Sequence, residues 1–118
     1  MSVPVALEAL WEKVAEFGDR AYVITVGPDR SSHVVSVRIR LENDVLVMPG
    51  GSRTRANLAD NPSATLLWPA APAGDYSLIV DGTAECTNGE TLAVTATRAV
   101  LHRVAGASDA LPSCVTLV

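Results

Sequence analysis

The stretch Val47-Met48-Pro49-Gly50-Gly51-Ser52-Arg53-Thr54-Arg55-Ala56-Asn57-Leu58-Ala59-Asp60-Asn61-Pro62 decides how this chain is read. It predicts the end of a β-strand, a glycine turn and one short α-helix. Ser52 carries the hydroxyl of an N-cap, which can accept from a free amide of the first helical turn. Gly50 and Gly51 permit positive φ and the close approach of another group. Proline bars helical geometry from the residue before it, so Asn61-Pro62 ends the helix. The charges run against the helix macrodipole. The amino end, a partial positive charge, holds Arg53 and Arg55 and no acid, while the carboxyl end holds Asp60. Each such misplacement costs about 0.3–1 kcal/mol at an exposed site. Free amides and arginines at one helix end make a seat for an anion, most often a phosphate. The alternative is a solvated helix whose arginines pair with acids elsewhere.

Working toward the amino terminus, residues 45–48 predict a strand, and Glu42-Asn43-Asp44 turns it back onto a longer strand at 33–41. There His33, Val35, Val37, Ile39 and Leu41 alternate with Val34, Ser36, Arg38 and Arg40. One face belongs to the core and the other to water or a polar cleft. Residues 21–26 are rich in β-branched side chains and form another strand, joined to the next through the turn chemistry of Gly27-Pro28-Asp29. Residues 4–17 predict an amphipathic helix with Pro4 at its first position, where the missing donor does no harm. Leu7, Leu10, Trp11, Val14 and Phe17 recur at helical spacing as its apolar stripe, with Glu8, Glu12, Lys13 and Glu16 on the wet side and Gly18 as the stop. Trp11 and Phe17 are expected in the core rather than stacked on a ligand.

Toward the carboxyl terminus, residues 63–68 form a strand and 69–74 a proline-rich loop that lies over a cleft or crosses the surface. Long strands follow at 77–86 and 92–103, with Asn88-Gly89 between them as a strong hairpin signal. Gly82 inside a strand marks a bulge or a close backbone approach. The tail, residues 104–118, is small and polar from Gly106, then apolar from Cys114 onward, either a frayed end or a last strand on a partner. The sum is six antiparallel strands with two short helices in one domain over residues 1–118. Tight hairpins without sustained βαβ alternation favour a closed or half-closed barrel, which removes sheet edges.

Composition narrows the function. With 48% hydrophobic residues and a mean hydropathy of +0.26, the chain has ample material for a core, yet its apolar runs are too short to span a bilayer. No basic region or long apolar run opens the sequence, so no signal peptide is expected and a cytoplasmic site follows by default. A net charge of −4 argues against a general nucleic-acid binder. Cys86 and Cys114 match no metal spacing. Cys86 is expected as a packed thiol in its strand and Cys114 as an exposed one, with no disulfide in a reducing compartment.

The chemistry of the usual catalytic sets is missing. His33 and His102 are the only histidines, and neither sits in a triad or a metal-binding helix pattern. Glu42, Asp44, Asp81, Glu85 and Glu90 form no suggestive carboxylate pair, and Gly50-Gly51-Ser52 lacks the phosphate-loop lysine pattern. An enzyme built from these residues borrows its reactive group from a cofactor that the protein binds and orients.

The order of elements and the central stretch resemble the pyridoxamine 5′-phosphate oxidase-like split β-barrels, a superfamily of flavin and deazaflavin oxidoreductases. The matching residues are Gly51-Ser52-Arg53, Asn61-Pro62, Thr65-Leu66-Leu67-Trp68-Pro69 and Val80-Asp81-Gly82-Thr83-Ala84-Glu85, and the likeness runs from about Ala21 to Arg103. The resemblance implies a six-stranded split barrel binding FMN or the deazaflavin F420. It also implies a homodimer with the cofactor between subunits and hydride transfer to a small conjugated substrate. It places the cofactor phosphate at the start of the short helix, with Ser52 and Arg53 matching the family's contacts and Thr54 standing where a lysine is usual. Arg55 replaces that charge in number only, because residues two apart point to opposite sides of a helix; it reaches instead toward a neighbouring subunit or a longer anionic tail. Met48 and Pro49 match the strand end beside the isoalloxazine ring, and Arg38 the basic residue of the preceding strand pair. The Arg-x-His substrate segment of the true oxidases is missing, so pyridoxamine phosphate oxidation itself is not expected. A non-catalytic cofactor-binding or cofactor-carrying module, and a barrel for another planar ligand such as a tetrapyrrole or a fatty acid, are the alternatives.

Overall fold

The computed structural model describes residues 2–71 and 74–103. Its elements in chain order are β1 (Ser2–Pro4), α1 (Leu7–Phe17), β2 (Arg20–Val26), β3 (Ser32–Arg38), β4 (Arg40–Glu42), β5 (Val45–Pro49), α2 (Ser52–Asp60), β6 (Ser63–Trp68), β7 (Tyr76–Cys86) and β8 (Thr91–Arg103). The strands form one antiparallel sheet in the order β3-β2-β6-β7-β8-β5-β4, with β1 added to β8. The two ends of this path, β3 and β4, are consecutive in the chain and separated only by Ile39. The sheet therefore curls until its ends meet along one bent run of backbone. β3 and β5 touch across the gap without pairing. This is a split barrel.

The core follows from the two-residue period of the strands. Val35, Val23, Leu66, Val80 and Ala99 lie in one registered row across the inner face. Leu46, Val94 and Ala84 form a second row, and Met48 lies opposite Leu92. Leu10 from α1 and Leu58 from α2 close this core, and Trp11, Val14 and Phe17 pack against it half-buried. Trp68 is buried and donates its indole N–H to the carbonyl of Gly18 at 2.9 Å, which ties the end of α1 to β6.

Several expectations hold in detail. Asn88-Gly89 caps the β7–β8 hairpin with Gly89 at φ +59°, and Asn43 and Asp44 both take positive φ in the two-residue β4–β5 turn. Gly82 sits at a register shift between β7 and β8, where a Cβ would lie 2.5 Å from the Thr95 carbonyl oxygen, so it serves both as bulge and as close approach. Gly18 ends α1 with φ +97°.

Others need correction. Pro4 does not start the first helix. Residues 2–4 form a strand opposite Val100, Leu101 and His102 at the edge of the sheet, where a proline's missing donor faces outward. The strand expected at 33–41 breaks at Ile39, whose amide donates to the Asp19 carbonyl at 2.7 Å instead of joining a ladder. That break turns six expected strands into seven on the path, and β1 makes an eight-stranded sheet. It also ends the alternation, so Leu41 is exposed. Cys86 is exposed at the end of β7 rather than packed. The tail at 104–118, with Cys114, lies outside the described residues.

Candidate functional site

The amino end of α2 is set by what precedes it. β5 pairs with β8 as far as Pro49 opposite Thr91, and the Gly50 amide donates to the Glu90 carbonyl at 2.6 Å. Gly50 is required by contact, because a Cβ there would lie 2.6–2.8 Å from the side chain of buried Leu92. Neither Gly50 nor Gly51 takes positive φ; Gly51 has φ −73° and is itself the helix cap. Ser52 is consequently the first helical residue and not the N-cap, and no side-chain capping bond forms. The first helical bond runs from the Arg55 amide to the Gly51 carbonyl at 3.0 Å. The amides of Ser52, Arg53 and Thr54 precede it and have no carbonyl one turn back. A Cβ built on Gly51 meets nothing within 4 Å, so the space before the helix is open.

The arginines then separate as helical geometry requires. Thr54, Asn57 and Leu58 form the inner face of α2, and Thr54 is only 2% exposed. Arg53 and Arg55 lie on either side of that face. Arg55 is half-buried and turns back, its Nε donating to the Gly50 carbonyl at 3.0 Å. Arg53 is exposed and forms no ion pair with any carboxylate among the described residues. The acid that feels its charge is Asp29, in the β2–β3 turn. Hydrogen bonds from the Ser31 hydroxyl (2.7 Å) and amide (3.1 Å) hold the Asp29 carboxyl below its ordinary 3.8, and Arg53 adds the smallest of the named contributions. No acid occupies the first turn of α2.

Of the other residues singled out in the sequence, Met48 is buried beneath Pro49, which ends β5 at the surface. Arg38 is exposed at the end of β3, and its guanidinium meets Asp19 Oδ2 at 3.0 Å. The sequence offered no signal for one buried polar pair, Asn57 on α2 and Thr25 on β2, joined at 3.1 Å. Neither residue type marks a site by itself, and their contact spans 32 positions of chain. Among the described residues there is no cluster of His, Cys, Asp and Glu fit to hold a metal. A cleft of about 470 Å³ opens between α1 and the residues Pro69, Ala71 and Gly74 to Tyr76, walled by Phe17, Leu101 and Tyr76; its lining includes no residue of α2.

No protein-family model matches the chain. Two uncharacterized mycobacterial proteins, Mb0449c of Mycobacterium bovis and MT0457 of Mycobacterium tuberculosis, are each 36% identical over 114 aligned positions, covering 81% of this chain and 75% of each relative. The chain belongs to their family. Among solved structures, the FAD-binding protein of Mycobacterium smegmatis superposes with a TM-score of 0.63 at 15% identity, over 87% of this chain and all (100%) of the other. An F420 reductase superposes with a TM-score of 0.61 at 17% identity, over 75% of this chain and 94% of that one. A Corynebacterium glutamicum protein provisionally described as a pyridoxamine 5′-phosphate oxidase gives 0.62 at 10% identity, over 85% of this chain and 90% of the other. The fold is that of the pyridoxamine 5′-phosphate oxidase-like split barrels. No helix among the described residues of this split barrel is long and apolar enough to cross a membrane.

Proposed function

We propose that this split barrel binds FMN or F420 and acts as a flavin- or deazaflavin-dependent oxidoreductase on a small conjugated substrate. The observation that carries the reading is Arg53: a cation at the positive end of a helix, beside open space, with no ion-pair partner among the described residues. The donor set fits a phosphate group. The Ser52 hydroxyl, the free amides of the first turn and the Arg53 guanidinium supply hydrogen bonds and charge to one locus. Arg38 adds a second cation once Asp19 is displaced, and that displacement is cheap because so exposed an ion pair contributes about 0–1 kcal/mol. Arg55 is committed to the Gly50 carbonyl and stiffens the bend rather than meeting the phosphate. Met48 and Pro49 place a strand end where a planar ring can lie along the backbone. When bound, FMN or F420 supplies the hydride chemistry, and the chain supplies anchoring and shielding from water.

A homodimer is part of this proposal. The outer face of the sheet carries a registered row of Tyr22, Leu67 and Ile79, beside a second holding Val34 and Ile24. Val34 is 52% and Tyr22 41% exposed. Exposed apolar side chains in contiguous rows are the usual mark of a partner surface, and a second copy would cover them. The other reading, a module that binds a cofactor without turnover, is favoured by one observation: Thr54, at the position of the family's lysine, faces the core and brings no charge to the phosphate.

Titration with FMN and with F420, followed by fluorescence, tests the proposal. Saturable binding, bleaching by a reductant and reoxidation by quinones or enones support the enzyme. Saturable binding without reoxidation supports the module. Failure of both cofactors to bind at millimolar concentration overturns both readings.

A further inference from the structure

Helix α2 is held to the barrel by few apolar contacts. Leu58 is its one large hydrophobic side chain in the core, and the other buried positions on its inner face are Thr54 and Asn57. A polar side chain withdrawn from water costs free energy unless it finds a partner. Asn57, 5% exposed, finds one in Thr25, itself buried: Nδ2 donates to Oγ1 at 3.1 Å. The Asn57 Oδ1 lies against Gly27, at the end of β2, where an added Cβ would sit 3.1 Å away. The amide is thus gripped between the helix and the end of β2. Asn57 follows Arg53 by four residues, so the two share one side of the helix.

A leucine on a sheet can roll with modest loss, because its contacts are non-directional. A hydrogen bond between two buried groups cannot, because breaking it strands donor and acceptor together. We propose that the Asn57–Thr25 hydrogen bond is a positioning contact that fixes the rotation of α2 about its own axis and so aims Arg53 and the first-turn amides at the cofactor phosphate. The proposal rests on the reading of α2 as the phosphate seat. Asn57 touches no ligand in it and acts through Arg53.

The test compares ligands with and without phosphate on the full chain: FMN against riboflavin, and F420 against its phosphate-free deazaflavin chromophore. Wild type prefers the phosphorylated ligand. Asn57→Leu keeps the branching and the number of heavy atoms and removes the polar grip. It is expected to cut affinity for the phosphorylated ligand at least tenfold and leave the phosphate-free one within twofold, while the thermal midpoint falls because the buried Thr25 hydroxyl loses its partner. Thr25→Val, a smaller change that serves if Asn57→Leu does not fold, is expected to act in the same direction. Thr25→Ser keeps the acceptor and restores the preference. The proposal is overturned if Thr25→Val, or a folded Asn57→Leu, keeps the wild-type preference, since the pair would then be structural only. A wild type that shows no preference removes the phosphate seat itself, and this inference with it.

Discussion

Replacing Arg53 with alanine should move binding and stability in opposite directions. In the ligand-free chain this guanidinium has no ion-pair partner among the described residues, and it sits where the helix dipole repels it. Removing it therefore stabilises the fold by about 0.3–1 kcal/mol. For a domain of this size that corresponds to a rise of roughly 1–4 °C in Tm. A charge-assisted hydrogen bond to phosphate contributes about 1.5–3 kcal/mol. Because Arg53 is exposed, the lower part of that range applies, which is a loss of about 10- to 30-fold in affinity at 1.4 kcal/mol per decade. Fluorescence titration with FMN and F420 gives the affinity, and thermal unfolding of the ligand-free protein gives the stability. Arg40→Ala is the control, since Arg40 is paired with Glu42 at 2.8 Å on β4. Unchanged affinity in Arg53→Ala would move the anion site elsewhere. A fall in Tm would mean that the fold itself relies on this arginine, and the electrostatic argument would fail.

Three further outcomes are expected. Gly50→Ala should destabilise the fold by about 1–3 kcal/mol in a denaturant titration, because the new methyl meets the buried side chain of Leu92; in a Leu92→Ala background, itself less stable, the same substitution should cost less, a coupling that a double-mutant cycle reads. Asp29 should titrate below 3.8 by NMR, and Ser31→Ala should raise its midpoint, because Ser31 is the main cause of the shift. Its folded value is depressed, so its stabilising contribution is present above 3.8 and is lost as pH falls below it through the folded value. Val34→Glu should convert a dimer to a monomer in analytical ultracentrifugation and leave Tm of the isolated chain within a few degrees, since Val34 is more than half exposed.

The sequence was most legible where local chemistry decides the backbone. Asn61-Pro62 stops α2 because the proline acts on its immediate neighbour, and Asn88-Gly89 makes its turn from its own φ angles. Gly82 announced a bulge that the register bears out. The failures share a cause in contacts between distant residues. Pro4 fits a helix start by local rules, yet β8 captures it into a strand from nearly a hundred residues away. Ile39 looks like mid-strand until Asp19 takes its amide. Gly50 is a close approach, but the group it approaches, Leu92, lies across a strand pair, and its φ is not positive. For the candidate site, the misplaced charges of Arg53 and Arg55 were visible in the sequence. Their different fates, one turned inward to a carbonyl and one without an ion-pair partner among the described residues, depend on which face α2 buries. That face is chosen by Thr54, Asn57 and Leu58 together.

The bend at Ile39 makes the first and last rungs of the sheet neighbours by covalent connection rather than by hydrogen bonding. The gap between them can widen or narrow without unzipping any ladder. Insertions or deletions beside Asp19 and Ile39 should therefore tune the aperture of the barrel across its relatives while every paired strand keeps its register.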